Sequence, residues 1–298
     1  VGAAVVPWTS QLFLSAIKIG PALAAGNTVV LKASEHAAAA MLEFGKLIDQ
    51  AGIPPGVVNI VTGFGDPCGR ALTSHPLISK IAFTGGPIAA QQVIHNSAKN
   101  FAGLTLELGG KSPVIVFDDV DIDSAVNGAL GAIFGATGQS CVAGSRLYLQ
   151  QTIADAFLEK MVKKAKQIVV GNPMAEKTQM GPLCTQGQLD NVIREVAYAE
   201  TEGGVILCGG KQPEDCYGQY FEPTIIDCPS QDMRIVDTEL FGPVLSVLRF
   251  DNEAEVLKMA NDTKYGLAAG VFTRDTSRAL RMINRIRAGI IWINGYRV

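Results

Sequence analysis

Short β-branched runs alternate along this chain with longer stretches in which apolar side chains recur every three or four residues. Residues 1–6, 28–31, 57–61 and 80–83 read as strands. Residues 12–24, 37–51, 68–74 and 89–98 read as the helices between them, each bounded by Gly, Pro, Asn or Ser. A repeated β-α-β order predicts a parallel sheet with crossover helices. The pattern restarts after Pro113, with a strand at 114–117, an Asp-rich helix start at 121–124 and a Gly/Ala helix over 125–135. Strands at 147–149, 205–208, 244–250, 267–272 and 290–293 then alternate with helices near 153–168, 186–202, 253–261 and 276–287. The expected fold class is α/β throughout, with one domain over 1–108 and a second, with a mostly parallel sheet, over 109–298. Long connections at 171–187 and 209–220 favour a functional surface in the second domain.

Composition narrows the function classes. The 298 residues are 48% hydrophobic and 18% charged, enough for about two cores and too little charge for a disordered chain. Lys and Arg number 25 against 28 Asp and Glu, a net charge of -3, so no global positive field exists to hold nucleic acid or an anionic membrane. No apolar run reaches the roughly 18–20 residues that span a bilayer. The six cysteines, at 68, 141, 184, 208, 216 and 228, show no Cys-x-x-Cys spacing, and there are only three histidines. Neither a metal site nor a disulfide framework is expected, and the thiols read as reduced, in the cytoplasm. The chain opens inside a strand pattern without Met and reads as a fragment, so any targeting segment would lie upstream.

Several segments carry chemistry. Gly63-Phe64-Gly65-Asp66-Pro67-Cys68-Gly69 sits between a strand and a helix, but its third Gly falls one residue late for a dinucleotide fingerprint, and a plain turn is the favoured reading. Leu31-Lys32-Ala33-Ser34-Glu35 lies at the carboxyl end of a strand, where α/β sheets bind ligands. Glu35 there can pair with ribose hydroxyls and repel a 2'-phosphate, or simply complement the next helix dipole. In Phe83-Thr84-Gly85-Gly86-Pro87 a strand end, two glycines and a helix-starting Pro suit an anionic pyrophosphate. Glu107, between Leu106 and Leu108 and followed by Gly109-Gly110-Lys111, is expected in apolar surroundings that raise its pKa toward that of a general base. Cys141 stands in a Gly-rich bend between helix and strand, an atypical place for a structural thiol; the other five cysteines read as inert and the histidines as surface or capping residues.

Together these segments resemble the NAD(P)-dependent aldehyde dehydrogenase superfamily. The stretches around Glu107 and Cys141 match its two signature patterns, and Pro7-Trp8, Lys32 to Glu35, Phe83-Thr84-Gly85, Glu239-Leu240-Phe241-Gly242-Pro243 and Trp292-Ile293-Asn294 follow in its order. The resemblance covers the whole chain. It implies a partial Rossmann-like cofactor-binding domain followed by a partial catalytic domain, with Cys141 as nucleophile and Glu107 as the base that activates water. Lys32 and Glu35 would hold the adenosine ribose, and Gly85 and Gly86 the pyrophosphate. Glu239 would bind the nicotinamide ribose, Phe241 would lie against the nicotinamide, Leu108 would touch it through the backbone, and Trp8 would lie beside the cofactor. Lys18 matches a lysine implicated in proton relay. The cofactor would be NAD, with NADP possible, and the substrate an aldehyde in a pocket shaped by residues such as Phe13, Phe134 and Thr137.

The implied reaction runs through a Cys thiohemiacetal and thioester to a carboxylic acid. One position departs from the family pattern. Where its members carry Asn after Pro-Trp to bind the oxyanion, this chain carries Thr9, whose shorter hydroxyl would cost about 100- to 1000-fold in rate if it fails to reach. The competing functions are therefore a catalytically impaired homologue kept for binding or structure, and a CoA-acylating dehydrogenase, which the presence of Glu107 disfavours. Family analogy implies a homodimer or homotetramer for the complete protein.

Overall fold

A short strand buried on both faces needs covering on both sides, and an amphipathic helix has one stripe to bury; layering the two satisfies both. The computed structural model describes residues 1–297 and builds this layering twice, in two compact units, Val1–Gly109 and Gly110–Val298.

The first unit runs β1 (Gly2–Val5), α1 (Gln11–Ala24), β2 (Val29–Lys32), α2 (Ala38–Gln50), β3 (Val58–Val61), a π-helical turn at Gly65–Gly69, α3 (Arg70–Thr73), β4 (Lys80–Thr84), α4 (Pro87–Ser97) and β5 (Gly103–Glu107). Its five strands are all parallel, in the order β3-β2-β1-β4-β5. The period of two along β1 sends Ala4 to a core with Leu31 and Met41, and Ala3 to a core on the other face with Ile81, Phe83 and Val93. The helix expected at 68–74 begins earlier, as a π turn over Gly65–Gly69, and continues as one α turn to Thr73. The Thr73 and Ser74 hydroxyls donate to the carbonyls of Gly69 and Arg70 at 2.7 and 2.8 Å, competing with the helical ladder.

The second unit comprises β6 (Pro113–Val116), α5 (Ile122–Phe134), β7 (Arg146–Gln150), α6 (Ala154–Ala165), α7 (Gln186–Thr201), β8 (Val205–Cys208), β9 (Thr224–Asp227), α8 (Arg234–Asp237), β10 (Val244–Phe250), α9 (Glu253–Asn261), β11 (Ala268–Phe272), α10 (Thr276–Arg285) and β12 (Ile290–Ile293). Its sheet has the order β12-β11-β6-β7-β10-β9-β8, parallel except where β8 meets β9. Side-chain caps from Asp121, Thr185, Asn252 and Asp275 start α5, α7, α9 and α10 where polar residues precede the apolar periodicity. The sequence reading passes over β9 and α8; β9 lies between Pro223 and Pro229, whose turn signals mask a four-residue strand, and α8 is a single helical turn. Among the described residues, no helix is long and apolar enough to cross a membrane.

Candidate active site

In the first unit the strand order reverses between β1 and β4, and a cavity of about 400 Å³ opens there, outside the carboxyl ends of β1, β2 and β4. That crevice is where an open α/β sheet binds its ligand. Lys32, at the end of β2, is buried along its stem, and its ammonium meets the Glu35 carboxylate at 3.0 Å on the cavity wall. Partial burial pushes the Glu35 carboxyl up, but its backbone N–H and the Lys32 ammonium prevail and hold it below its ordinary value. It therefore faces the cavity as an anion, an acceptor for hydroxyls and a repellent for phosphate.

Gly85 also lines the cavity, and a Cβ there would lie 2.6 Å from the Phe83 ring. Gly86 is the N-cap of α4 with Pro87 opening the helix, so the backbone donors of the first turn are available to an anion. The glycine turn read as a plain connection contributes Gly65, Asp66 and Gly69 to the same wall. Gln92, Val93 and Asn96 of α4 also line it, unforeseen in the sequence although their spacing puts them on one helix face.

Lys18 on α1 donates to Thr84 Oγ1 at 2.7 Å. Burial pulls its ammonium below the ordinary lysine value, and the Glu107 charge works against that shift. Glu107 itself ends the edge strand β5, in register with Thr84 of β4, and its backbone carbonyl accepts from the Gly85 N–H at 3.1 Å. The apolar surroundings expected for its carboxyl are not found: Glu107 is exposed. The reason is strand geometry. Residues one apart point to opposite faces, so Leu106 and Leu108, packed on the Ala3 and Ile81 core, say nothing about the face Glu107 occupies. Trp8 and Thr9 lie half-buried between β1 and α1, just before Ser10 at φ 43°.

In the second unit Cys141 follows three consecutive left-handed residues, Ala136, Thr137 and Gly138, at φ 54°, 58° and 67°. Two of them carry a Cβ, which is strain of the kind that persists where surroundings over-determine a functional loop. Those surroundings are specific. Thr137 Oγ1 donates to the Gly181 carbonyl at 3.2 Å, Gln139 Oε1 accepts from the Cys184 N–H at 2.8 Å, and Tyr296 Oη donates to the Val142 carbonyl at 2.8 Å. A Cβ on Gly110 would collide with the Cys141 carbonyl oxygen, and one on Gly138 with the Gly242 carbonyl. Glu239 Oε1 accepts from the Gly110 N–H at 3.1 Å.

Three segments far apart in sequence thus meet around Cys141, and this sets its charge state. Burial raises the thiol pKa first, and the Glu239 carboxylate raises it further; N–H groups of Val142 and Cys141 and the Arg297 guanidinium oppose both. Glu239 is itself pushed up by burial, against the Gly110 N–H and the Lys111 ammonium. Phe241, next to this carboxylate, takes φ 58° and offers its carbonyl to Gln188 Nε2 at 2.9 Å. Lys111 is fully buried, with its pKa brought down to about 7 by desolvation and by the neighbouring Arg146. Arg146 in turn is satisfied by the carbonyls of Lys111 and Ala260 at 2.7 and 2.9 Å and by Tyr148 Oη at 3.0 Å. Sequence reasoning singled out neither Lys111, Tyr296 nor Arg297 as a site residue. Among the described residues, no group of three or more His, Cys, Asp or Glu is placed to hold a metal ion.

The sequence profile of the aldehyde dehydrogenase family matches residues 1–298. The chain belongs to the aldehyde dehydrogenase family. Within it, the chain is 56% identical over 299 residues to a (Z)-2-((N-methylformamido)methylene)-5-hydroxybutyrolactone dehydrogenase of Acinetobacter baylyi, covering 100% of this chain and 61% of that protein. It is 45% identical to a chloroplastic betaine aldehyde dehydrogenase of Beta vulgaris, over 97% of this chain and 58% of the relative. The NAD+ complex of an aldehyde dehydrogenase from Bacillus cereus superposes with a TM-score of 0.97 at 39% identity, over 100% of this chain and 60% of that one. The chain spans about three-fifths of the length of these family members. The α/β fold expected from the sequence is the fold of this family.

Proposed function

We propose that the complete protein oxidises an aldehyde to a carboxylic acid with NAD(P)+, using Cys141 as nucleophile. The observation that carries this reading is the Cys141 loop, held in strained backbone and packed against Gly110, in a chain whose whole length matches the aldehyde dehydrogenase profile. A nicotinamide dinucleotide fits the residues of the first unit. The switch-point cavity supplies Lys32 and Glu35 for a ribose, with Glu35 favouring NAD, and Gly85, Gly86 and the start of α4 for a pyrophosphate. Trp8, Leu108, Glu239 and Phe241 are assigned to the nicotinamide end by resemblance to the family.

The Cys141 thiol releases its proton to water, and the thiolate so formed adds to the carbonyl carbon, forming a C–S bond and an oxyanion that the Cys141 N–H and, within its reach, Thr9 stabilise. A nicotinamide held at the switch-point cavity would supply a hydride acceptor, and loss of hydride from the carbon bonded to Cys141 would leave it at the oxidation level of a thioester. Glu107 then takes a proton from the water that hydrolyses the thioester and frees the thiol. The exposed position of Glu107 beside the Lys18–Thr84 pair supports this role, since it leaves the carboxylate open to water and to a proton-relaying partner.

The Acinetobacter baylyi relative is named for a 5-hydroxybutyrolactone. Such a lactone is the ring-closed form of an aldehyde that carries a carboxyl group, so a related substrate is proposed here. Family resemblance further suggests a homodimer or homotetramer, and six unpaired thiols suit a reducing compartment such as the cytoplasm.

The test is aldehyde-dependent NADH formation by the full-length protein, abolished by iodoacetamide and by Cys141→Ala. NAD binding with no turnover of any aldehyde would replace this reading with the impaired homologue that Thr9 suggests. Product formation only with CoA would replace it with an acylating enzyme.

A further inference from the structure

The segment after β12 is clamped against the Cys141 loop. Tyr296 is buried, its ring lying over Gly270, where a Cβ would come within 2.6 Å of it, and beside Gly144 at 3.4 Å. Trp292 packs on the same ring at a centroid distance of 4.6 Å, and the phenol donates to the carbonyl of Val142, the residue after Cys141. The chain then continues directly to Arg297, at φ 57°. One face of its guanidinium is located by Gly135, the first residue after α5 and the start of the Cys141 loop. Nη1 lies 3.4 Å from the point where a Gly135 Cβ would be, which sets the Arg head against the start of the Cys141 loop. The guanidinium is also close enough to Cys141 for each to bias the other's ionisation.

Arg297 carries unpaired donors at this place. Its Nε and Nη2 are buried and, among the described residues, have no hydrogen-bond partner. A guanidinium has five N–H donors in a fixed fork and no acceptor, and it cannot shed its charge at neutral pH. Buried donors left unpaired cost free energy, more for a charged group than for a neutral one. The two titratable groups that act on it, Tyr296 and Cys141, both have their ionisation pushed upward and are neutral at pH 7. A carboxylate suits these donors, because the planar fork matches its two oxygens and its charge offsets that of the guanidinium.

We infer that Arg297 is a specificity-determining residue that selects aldehydes bearing an anionic head group, a carboxylate above all, while their carbonyl carbon is presented to Cys141. The inference deepens the reading of this loop as the site of aldehyde oxidation and rests on it. Arg297 takes no part in bond making. It binds the distant end of the substrate, and its contribution falls on KM more than on kcat for the charged aldehydes.

The experiment compares 4-oxobutanoate with pentanal, an uncharged aldehyde of similar length, by NADH formation in the full-length protein carrying Arg297, Arg297→Gln or Arg297→Lys. The expected result is a preference of the wild type for 4-oxobutanoate. That preference, as a ratio of kcat/KM values, falls about 10- to 100-fold in Arg297→Gln through KM, and is partly restored in Arg297→Lys, which keeps the charge but not the fork. Should the glutamine variant fail to fold, the wild type serves: butanoate competes with pentanal, while butanol at the same concentration does not. An equal loss on both aldehydes, with the pH profile of iodoacetamide alkylation moved upward, makes Arg297 a support for the thiolate and overturns the inference. So does oxidation of pentanal with no preference for 4-oxobutanoate, an outcome that leaves the aldehyde-oxidising reading standing. A wild type that oxidises neither aldehyde, nor any other, removes both.

Discussion

At the scale of single residues the chemistry around Cys141 is set by burial against charge. Burial and the Glu239 carboxylate both disfavour the thiolate. The thiol is therefore protonated at neutral pH in this state, and its alkylation by iodoacetamide rises with pH, with a midpoint above the ordinary thiol range. Removing the negative charge has a defined sign: Glu239→Gln moves the alkylation profile to lower pH, because the anion no longer opposes a second one. A profile that stays in place would mean that Glu239 does not act on Cys141 electrostatically. Thr9 makes the second residue-scale prediction. If the hydroxyl falls short of the oxyanion, Thr9→Asn raises kcat for aldehyde oxidation by about 100- to 1000-fold, read as steady-state NADH formation. Cys141 and Thr9 are both visible in the sequence, one from its Gly-rich setting and the other from its departure from a family motif. The exposure of Glu107 is not, because two flanking leucines on a strand describe the opposite face.

At the scale of elements, the glycines of the motifs act as contact points between loops rather than as flexible joints. Gly110 lets the segment before β6 lie directly on the Cys141 carbonyl while its N–H holds Glu239. Gly110→Ala places a methyl group where that carbonyl oxygen is, so the backbone of one loop must move. The expected result is a loss of about 1–3 kcal/mol in stability, measured by denaturant unfolding, and about a 100-fold loss in kcat. A variant with wild-type kcat would show that the position of this loop does not matter to turnover. The sequence pattern located the long elements to within a few residues, since β-branched runs and 3.6-residue stripes are local properties. It started the helix around Arg70 three residues late, since the π turn begins at Gly65, and it passed over β9, which lies between Pro223 and Pro229.

At the scale of the whole molecule, the parallel order of the first sheet makes a cavity at its switch point, and the cofactor role proposed for Glu35 on its wall predicts a preference. NAD at 100 times its dissociation constant is expected to stabilise the protein by about 2.7 kcal/mol, seen as a rise in Tm of several degrees. Glu35→Gln removes the repulsion of a 2'-phosphate, and NADP then approaches NAD in the stabilisation it confers; an unchanged preference would place cofactor discrimination elsewhere. The alternation of strands and helices, the two-part organisation and the identity of the motif residues were determined by the sequence alone, because each depends on residues that are neighbours along the chain or share a short repeat. The tertiary structure alone decided which glycine meets which carbonyl, which face Glu107 takes, and that Arg297 ends up beside a cysteine 156 positions earlier in the numbering. Contacts at such separations follow from how whole elements pack, and no local pattern of apolar and polar positions encodes them.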